Sequence, residues 1–474
     1  MTLAAAPRRP TDSAPAASES DTNSSGRRQE WALSRDPDDD FLLRRDAAAY
    51  LKQAVSTPCL TSIEGAEGAY IFGSDGTPYL DFHGNSAHQI GYGHPRLVQA
   101  LKKQMTTLPF VPRRYTSSVS VDFAEKLISI TPAGLDRVLM TTGGSDAIEV
   151  ALKIARAATG RFKTLSFWES FHGAGFGAAS VGGEQLFRSG PIGPLLTGTE
   201  HVPPIGCFRD RFGPGHRFDE PHTEQCGRPL AELIDYVLRT QGDVAALIAE
   251  PMRATPEMAA PGFWQAVRKS CDDTGTLLIF DEIPTGLGRT GRMFAHEHEA
   301  VTTPDGVEAV VPDILVLGKG LGGGMIPVAA VIARAELDVG ADWAFGHYTH
   351  EKNPLMARAG LTTIEIIEQE GLVARSAELG AMALERGRIL ASEFAEIGDV
   401  RGRGLMLGIE LVHEDGTPNS DLAEGVLYGC LRRGLSFKTT MGNVLTLAPA
   451  LTIRESDLHR AFDIIESALR EARG

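Results

Sequence analysis

Two short apolar runs, each ending in one ionisable group, constrain this chain more than any other feature. The first, Leu277-Leu278-Ile279-Phe280, is closed by Asp281-Glu282 and followed by the turn Thr285-Gly286-Leu287-Gly288-Arg289-Thr290-Gly291. The second, Ile314-Leu315-Val316-Leu317, runs into Gly318-Lys319-Gly320-Leu321-Gly322-Gly323-Gly324. Apolar runs of this length bounded by turn residues read as buried strands. Ligands of open α/β sheets sit at the C-terminal edge of the strands. A carboxylate and an amine are therefore expected at one such edge. Burial among glycines favours the neutral, nucleophilic form of the Lys319 amine.

An aspartate beside such a lysine suits a pyridoxal phosphate (PLP) site, where an acid keeps the ring nitrogen protonated. Competing readings fare worse. Gly286, Gly288 and Gly291 satisfy G-x-G-x-x-G, but a dinucleotide fingerprint opens a helix directly after its strand, and here Asp281 to Thr285 intervene. A P-loop requires Ser or Thr after Gly-Lys, and Gly320 follows Lys319. Two core strands with incidental charges would bury Asp and Lys without a task, which is rare.

The 474 residues exceed one core's usual size, so two domains are expected. Residues 1–30, rich in Ala, Pro, Ser and Thr, read as a disordered tail. Residues 31–90 read as the N-terminal segment of a small domain, 91–350 as the large cofactor-binding domain, and 351–474 as the C-terminal small domain. A net charge of −15 argues against nucleic acid or an anionic membrane as main partner. No apolar run approaches the ~20 residues of a membrane span. Arg8 and Arg9 precede no apolar stretch, so no secretory signal is expected. Five thinly spread cysteines suggest reduced thiols in a cytoplasmic setting.

Along the chain, Phe41 to Gln53 reads as an opening helix, and Gly68 to Phe82 as a hairpin turning at Asp75-Gly76. The polar stretch from Asp81 to Pro95 reads equally as a site-lining loop or a solvated one. From Arg96 to about Ala344, helices alternate with short apolar strands, the pattern of a parallel sheet. Val138-Leu139-Met140 leads through Gly143-Gly144-Ser145-Asp146 into a helix over 147–158, whose start can hold an anion or simply be an N-cap with glycine turns. Leu165 to Trp168 and Val244 to Ile248 are further strands, ending near Phe171-His172-Gly173 and at Glu250-Pro251. Cys207, His216, His222 and Cys226 lack zinc-module spacing, so an insertion without metal is expected there. Beyond Pro354 helices dominate, over 355–368, 372–394, 422–433 and 455–473, with strands near 405–411 and 444–447.

Together these residues resemble the class III aminotransferases, PLP enzymes of fold type I, from about Asp40 onward. The resemblance implies an α/β fold: a large domain with a mostly parallel sheet plus a smaller α+β domain. It makes Lys319 the residue that holds the cofactor covalently and Asp281 the partner of its ring nitrogen, with Ile283 packing on the ring. Gly144 and Ser145 resemble the phosphate cup, Phe171 and His172 the ring-stacking motif, and Thr349 the threonine that reaches the phosphate from a partner subunit. Glu250 joins the cofactor contacts, and a homodimer with shared active sites is implied.

Two departures from the family pattern stand out, the first at a cofactor contact and the second at the expected substrate. Pro284 stands where many relatives carry Gln. Thr446, in Val444-Leu445-Thr446-Leu447-Ala448-Pro449, stands where an Arg usually forks onto the substrate α-carboxylate, and no neutral group replaces that contact at equal strength. Arg114 and Tyr115, with Arg113 beside them, and Arg253 are the candidate contacts for an anionic amine substrate, although adjacent loop arginines are more often solvated. The pattern, including His83 to Gln89, Pro112 to Thr116 and Tyr348 to Lys352, resembles the branch of ammonia-lyases acting on (R)-1-hydroxy-2-aminoethylphosphonate. It implies a PLP-dependent lyase giving phosphonoacetaldehyde and ammonia, with an ω-amine:2-oxo acid aminotransferase as the alternative. An aminomutase and a PLP-fold binding protein are further rivals that fold alone cannot exclude.

Overall fold

The computed structural model describes residues 25–34, 37–53, 59–206, 208, 217, 219–220, 226–303 and 306–473. The expected tail over 1–24 and Cys207, His216 and His222 lie outside them. The expected tail boundary differs at its end: Gly26–Leu33 is a helix whose first turn is capped by Ser25, the hydroxyl accepting from Arg28 N at 3.0 Å.

Strands β1 (Ile63–Glu67), β2 (Tyr70–Gly73) and β3 (Pro78–Asp81) form an antiparallel meander. The β2–β3 turn is closed by Gly76 at φ +82° and by an Asp75 carboxylate that accepts from Thr77 N at 2.9 Å. The large sheet collects β4 (Leu135–Thr141), β5 (Lys163–Phe167), β6 (Thr199–Val202) and β7 (Val244–Ala249). A ribbon of β8 (Met252–Arg253) and β9 (Glu257–Met258) then precedes β10 (Leu277–Asp281). A second ribbon, β11 (Val301–Thr303) and β12 (Gly306–Glu308), precedes β13 (Ile314–Leu317) and β14 (Ala329–Arg334). The sheet order is β4-β14-β13-β10-β7-β5-β6. Every pairing from β13 to β6 is parallel, whereas β14 runs antiparallel to both of its neighbours.

The central strands are uniformly apolar because both faces are covered. Leu247, Leu278, Phe280 and Leu315 join the core under the helices Arg228–Gln241 and Phe263–Thr274. The intervening Ile248, Ile279, Ile314 and Val316 pack with the helix Gly144–Thr159 on the other face. Period-two alternation is thus real in the structure but invisible in hydropathy.

The C-terminal segment supplies β15 (Ile397–Arg403), β16 (Met406–Leu411), β17 (Leu435–Ser436), β18 (Lys438–Thr440) and β19 (Val444–Leu447). Four of them form an antiparallel sheet in the order β15-β16-β19-β18, while β17 pairs in parallel with β3. β15 escaped the sequence reading because Ile397–Arg403 carries two arginines, an aspartate and two glycines, poor strand formers by composition. Asp399 and Arg401 are buried here against each other, and Arg403 pairs with Glu299. Among the described residues no helix is long and apolar enough to cross a membrane.

Candidate active site

Asp281 and Lys319 emerge at the same sheet edge because β10 and β13 are parallel neighbours, with Asp281 opposite Val316. Lys319 lies three residues beyond Val316 and adopts φ +40°, a left-handed conformation that costs a non-glycine residue about 1 kcal/mol or more. Gly323 and Gly324, at φ +63° and +74°, complete the turn. Ile283, 7% exposed, fills the space between two glycines: a Cβ on Gly144 would lie 2.8 Å from its Cδ1, and one on Gly318 would lie 3.3 Å from its Cγ2. Three chain segments therefore converge on one aliphatic side chain.

Asp281 is buried and held on both oxygens. Oδ1 accepts from Ile283 N at 3.0 Å, and Oδ2 meets His172 Nδ1 at 2.8 Å. An ionised carboxylate only accepts, so Nδ1 carries the proton in this pair. His172 Nε2 is buried and, among the described residues, has no hydrogen-bond partner. Glu250 stands close by, its carboxylate accepting from Ala254 N at 2.9 Å. Burial raises its pKa above the usual carboxylate value; His172 and Arg253 oppose that rise and the Asp281 charge adds to it.

The helix Gly144–Thr159 starts beside this group. Its N-cap, Gly143, offers no side-chain cap, and a Cβ built there would meet nothing within 4 Å. The helix start therefore lacks a side-chain cap and has open space beside Gly143, and the positive end of the helix dipole there suits a phosphate. Ser145 Oγ accepts from Ala174 N at 3.0 Å, tying the helix start to the Phe171-His172-Gly173 loop. These residues fit PLP: an acid for the ring nitrogen, an aliphatic side chain, an uncapped helix for the phosphate and a primary amine for the aldehyde.

The substrate candidates are scattered in the single chain. Arg253 is 4% exposed, its Nη2 donating to Glu169 O at 2.6 Å and lying 3.9 Å from Met441 Sδ. Arg114, Tyr115 and Thr349 are exposed, and neighbouring Arg113 engages His347. Phe171 is exposed, its ring 4.6 Å from that of Phe187. Thr446 is buried, its hydroxyl 2.7 Å from that of Thr440. Gln89 was missed as an individual residue: Nε2 donates to Gly286 O at 2.8 Å, and a Cβ on Gly320 would overlap its side-chain amide. The recurring glycines at 286 and 320 were the available signal, since close approach is one reason for glycine. Among the described residues no cluster of three metal-ligating side chains occurs.

Comparison with known proteins bears on the family and the fold. The family model described as "Aminotransferase class-III" matches residues 51–469. The chain is 42% identical over 463 residues, 95% of either chain, to an (R)-1-hydroxy-2-aminoethylphosphonate ammonia-lyase of Vibrio splendidus (strain 12B01). It is 33% identical over 414 residues to an alanine/serine racemase of Pyrococcus horikoshii, covering 85% of this chain and 84% of the racemase. Among solved structures, an (S)-enantioselective ω-transaminase of Thermomicrobium roseum superposes with TM-score 0.82 at 27% identity, over 92% of this chain and 99% of that one. The fold, the paired acid and amine at one sheet edge and a family match across most of the sequence lead to one assignment: the chain belongs to the class III aminotransferase family.

Proposed function

We propose that this protein is a PLP-dependent ammonia-lyase acting on a hydroxylated aminoalkylphosphonate, (R)-1-hydroxy-2-aminoethylphosphonate, and giving phosphonoacetaldehyde. The observation that carries this reading is the 42% identity to an ammonia-lyase of that substrate over 95% of both chains. Thr446 supports it: buried and bonded to Thr440, it supplies no guanidinium for an α-carboxylate.

PLP, when bound, supplies an electron-withdrawing ring that accepts negative charge from an amine-bearing carbon. The chain's own residues do the rest. Asp281, positioned by His172 and Ile283 N, places a negative charge for the ring nitrogen. Ile283 supports one face of the ring, Phe171 is assigned the other, and Gly144 with Ser145 holds the phosphate; Glu250 shares the pocket with Asp281 and His172. The Lys319 amine takes the proton from the amine-bearing carbon. The hydroxyl of the adjacent carbon then departs as water, and the released enamine tautomerises and takes up one water to give aldehyde and ammonia. Atoms balance: one water leaves and one enters.

The same reading assigns Arg253, with Arg114 and Tyr115, to the anionic tail. It also includes a homodimer in which Thr349 of one copy completes the phosphate site of the other, which the exposure of Tyr115, Trp343 and Thr349 supports. Residues 31–90 are proposed to join 351–474 as one small domain, consistent with the β3–β17 pairing. A cytoplasmic setting accords with the reduced, buried thiols of Cys271 and Cys430.

Ammonia release from a panel of hydroxylated and plain aminophosphonates, with no 2-oxo acid added, tests the reading. Sustained turnover of the hydroxylated compound is expected. The similarity to ω-transaminases favours a second reading, amine:2-oxo acid exchange, in which ammonia is absent and turnover requires pyruvate or 2-oxoglutarate.

A further inference from the structure

The antiparallel C-terminal sheet aligns four residues in one row across its strands. Arg401 lies opposite Gly408, Gly408 opposite Thr446, and Thr446 opposite Lys438. Residues directly opposed across antiparallel strands share a face. That face looks at the β8–β9 ribbon: a Cβ on Gly408 would lie 3.4 Å from Pro256 Cβ, and Arg401 Nε donates to Pro256 O at 2.7 Å. Arg253 stands in the same ribbon, opposite Glu257, and Met441 just beyond β18 lies 3.9 Å from its guanidinium. Through Glu169 O, which it holds at 2.6 Å, Arg253 is tied to the loop that delivers His172 to Asp281.

The charged members of this arrangement are not equally available to an anion: among the described residues, Arg253 faces a single carboxylate, Glu169, at 3.6 Å. Arg401 is buried among three carboxylates, paired with Glu257, with Asp399 at 3.1 Å and with Glu410 at 2.7 Å. Thr446 carries no charge. Lys438 is half-buried and only one strand, about 5 Å, from Thr446. We propose that Lys438 is the specificity-determining cation of this enzyme: with Arg253 it holds the phosphonate tail, replacing from the neighbouring strand the charge that position 446 lacks. This rests on the phosphonate reading above. The chemistry fits the exchange. A planar carboxylate gains from a planar guanidinium fork, whereas a tetrahedral, three-oxygen dianion accepts a point-charge ammonium from one side and a guanidinium from another. Lys438 already makes an interaction within the chain, and the tail displaces it on binding.

The test compares wild-type holoenzyme with Lys438→Met, Lys438→Gln and Lys438→Arg. Methylphosphonate binding is read by calorimetry, and ammonia release is followed against substrate concentration. Both neutral variants are expected to retain cofactor, to weaken methylphosphonate binding at least about 10-fold and to raise KM similarly with kcat little changed; Lys438→Arg recovers most of the loss. Methylphosphonate affinity unchanged in both neutral variants overturns the proposal. Absence of ammonia release from wild type refutes the substrate reading instead, and the methylphosphonate titration still decides the role of Lys438.

Discussion

Gly173 joins the two halves of the proposed cofactor pocket, so adding one methyl group there tests the whole arrangement. It follows His172, which engages Asp281, and precedes Ala174, whose N–H donates to Ser145 Oγ. Its φ is +134°, a region that residues with a Cβ rarely adopt. In Gly173→Ala the new methyl would lie 2.5 Å from Ser145 Oγ, 2.8 Å from Ser145 Cα and 2.9 Å from Ser145 Cβ. Rotation can move the hydroxyl, but the backbone must retreat from 2.8 Å to the ordinary 3.4 Å, about 0.6 Å, and the helix start must follow it. Backbone strain of about 1–3 kcal/mol and overpacking of about 1–3 kcal/mol add to roughly 2–6 kcal/mol of lost stability. Displacing the helix start proposed to hold the cofactor phosphate should also weaken PLP binding by about 10- to 100-fold, the value of a charge-assisted hydrogen bond. Urea unfolding and tryptophan-fluorescence titration of the apoprotein with PLP read the two effects. Adding Ser145→Gly to the variant relieves the clash with the serine side chain but leaves the clash with the backbone of residue 145, so only partial recovery of stability is expected. An unchanged urea midpoint together with an unchanged PLP dissociation constant in Gly173→Ala would refute the reasoning.

Three further outcomes are expected. Lys319→Ala should abolish both the visible absorbance of the covalently held cofactor and ammonia release; normal turnover in that variant would sink the assignment of the amine. Arg114→Ala should raise KM for the phosphonate substrate about tenfold with little change in kcat, and an unaltered KM would remove Arg114 from the pocket. Burial, opposed by Arg401 and reinforced by the Glu410 and Asp399 charges, holds Glu257 up to about 7. Because the folded value lies above the ordinary 4.5, the stability this group contributes is full below pH 4.5 and is lost as pH rises through about 7. Glu257→Gln should therefore flatten the pH dependence of the urea midpoint between 4.5 and 7; an identical slope in wild type and variant would contradict it.

Much of the candidate site was legible from local signals. Apolar strands ending in Asp281 and Lys319, and a glycine turn opening the helix that carries Ser145, are features of a few consecutive residues. Hydrophobic runs and turn residues encode them directly. β15 was not legible, because its charged residues satisfy one another only after Arg401 meets Glu257, a residue 144 positions earlier in the chain. Nor could hydropathy announce that β14 enters the sheet antiparallel, since a buried strand reads alike in either direction.

The sequence by itself determined the fold type, that one buried strand ends in Asp281 and another runs into Lys319, and that position 446 carries no charge, because each depends on residue identity within a short window. Only the tertiary structure decided that His172 buttresses Asp281 across 109 positions, that Gln89 lies against Gly320, and that Lys438 shares a row with Thr446. Those relations depend on strand register and on which segments pack together. A one-residue slip in register would turn Lys438 to the opposite face without altering a single local pattern.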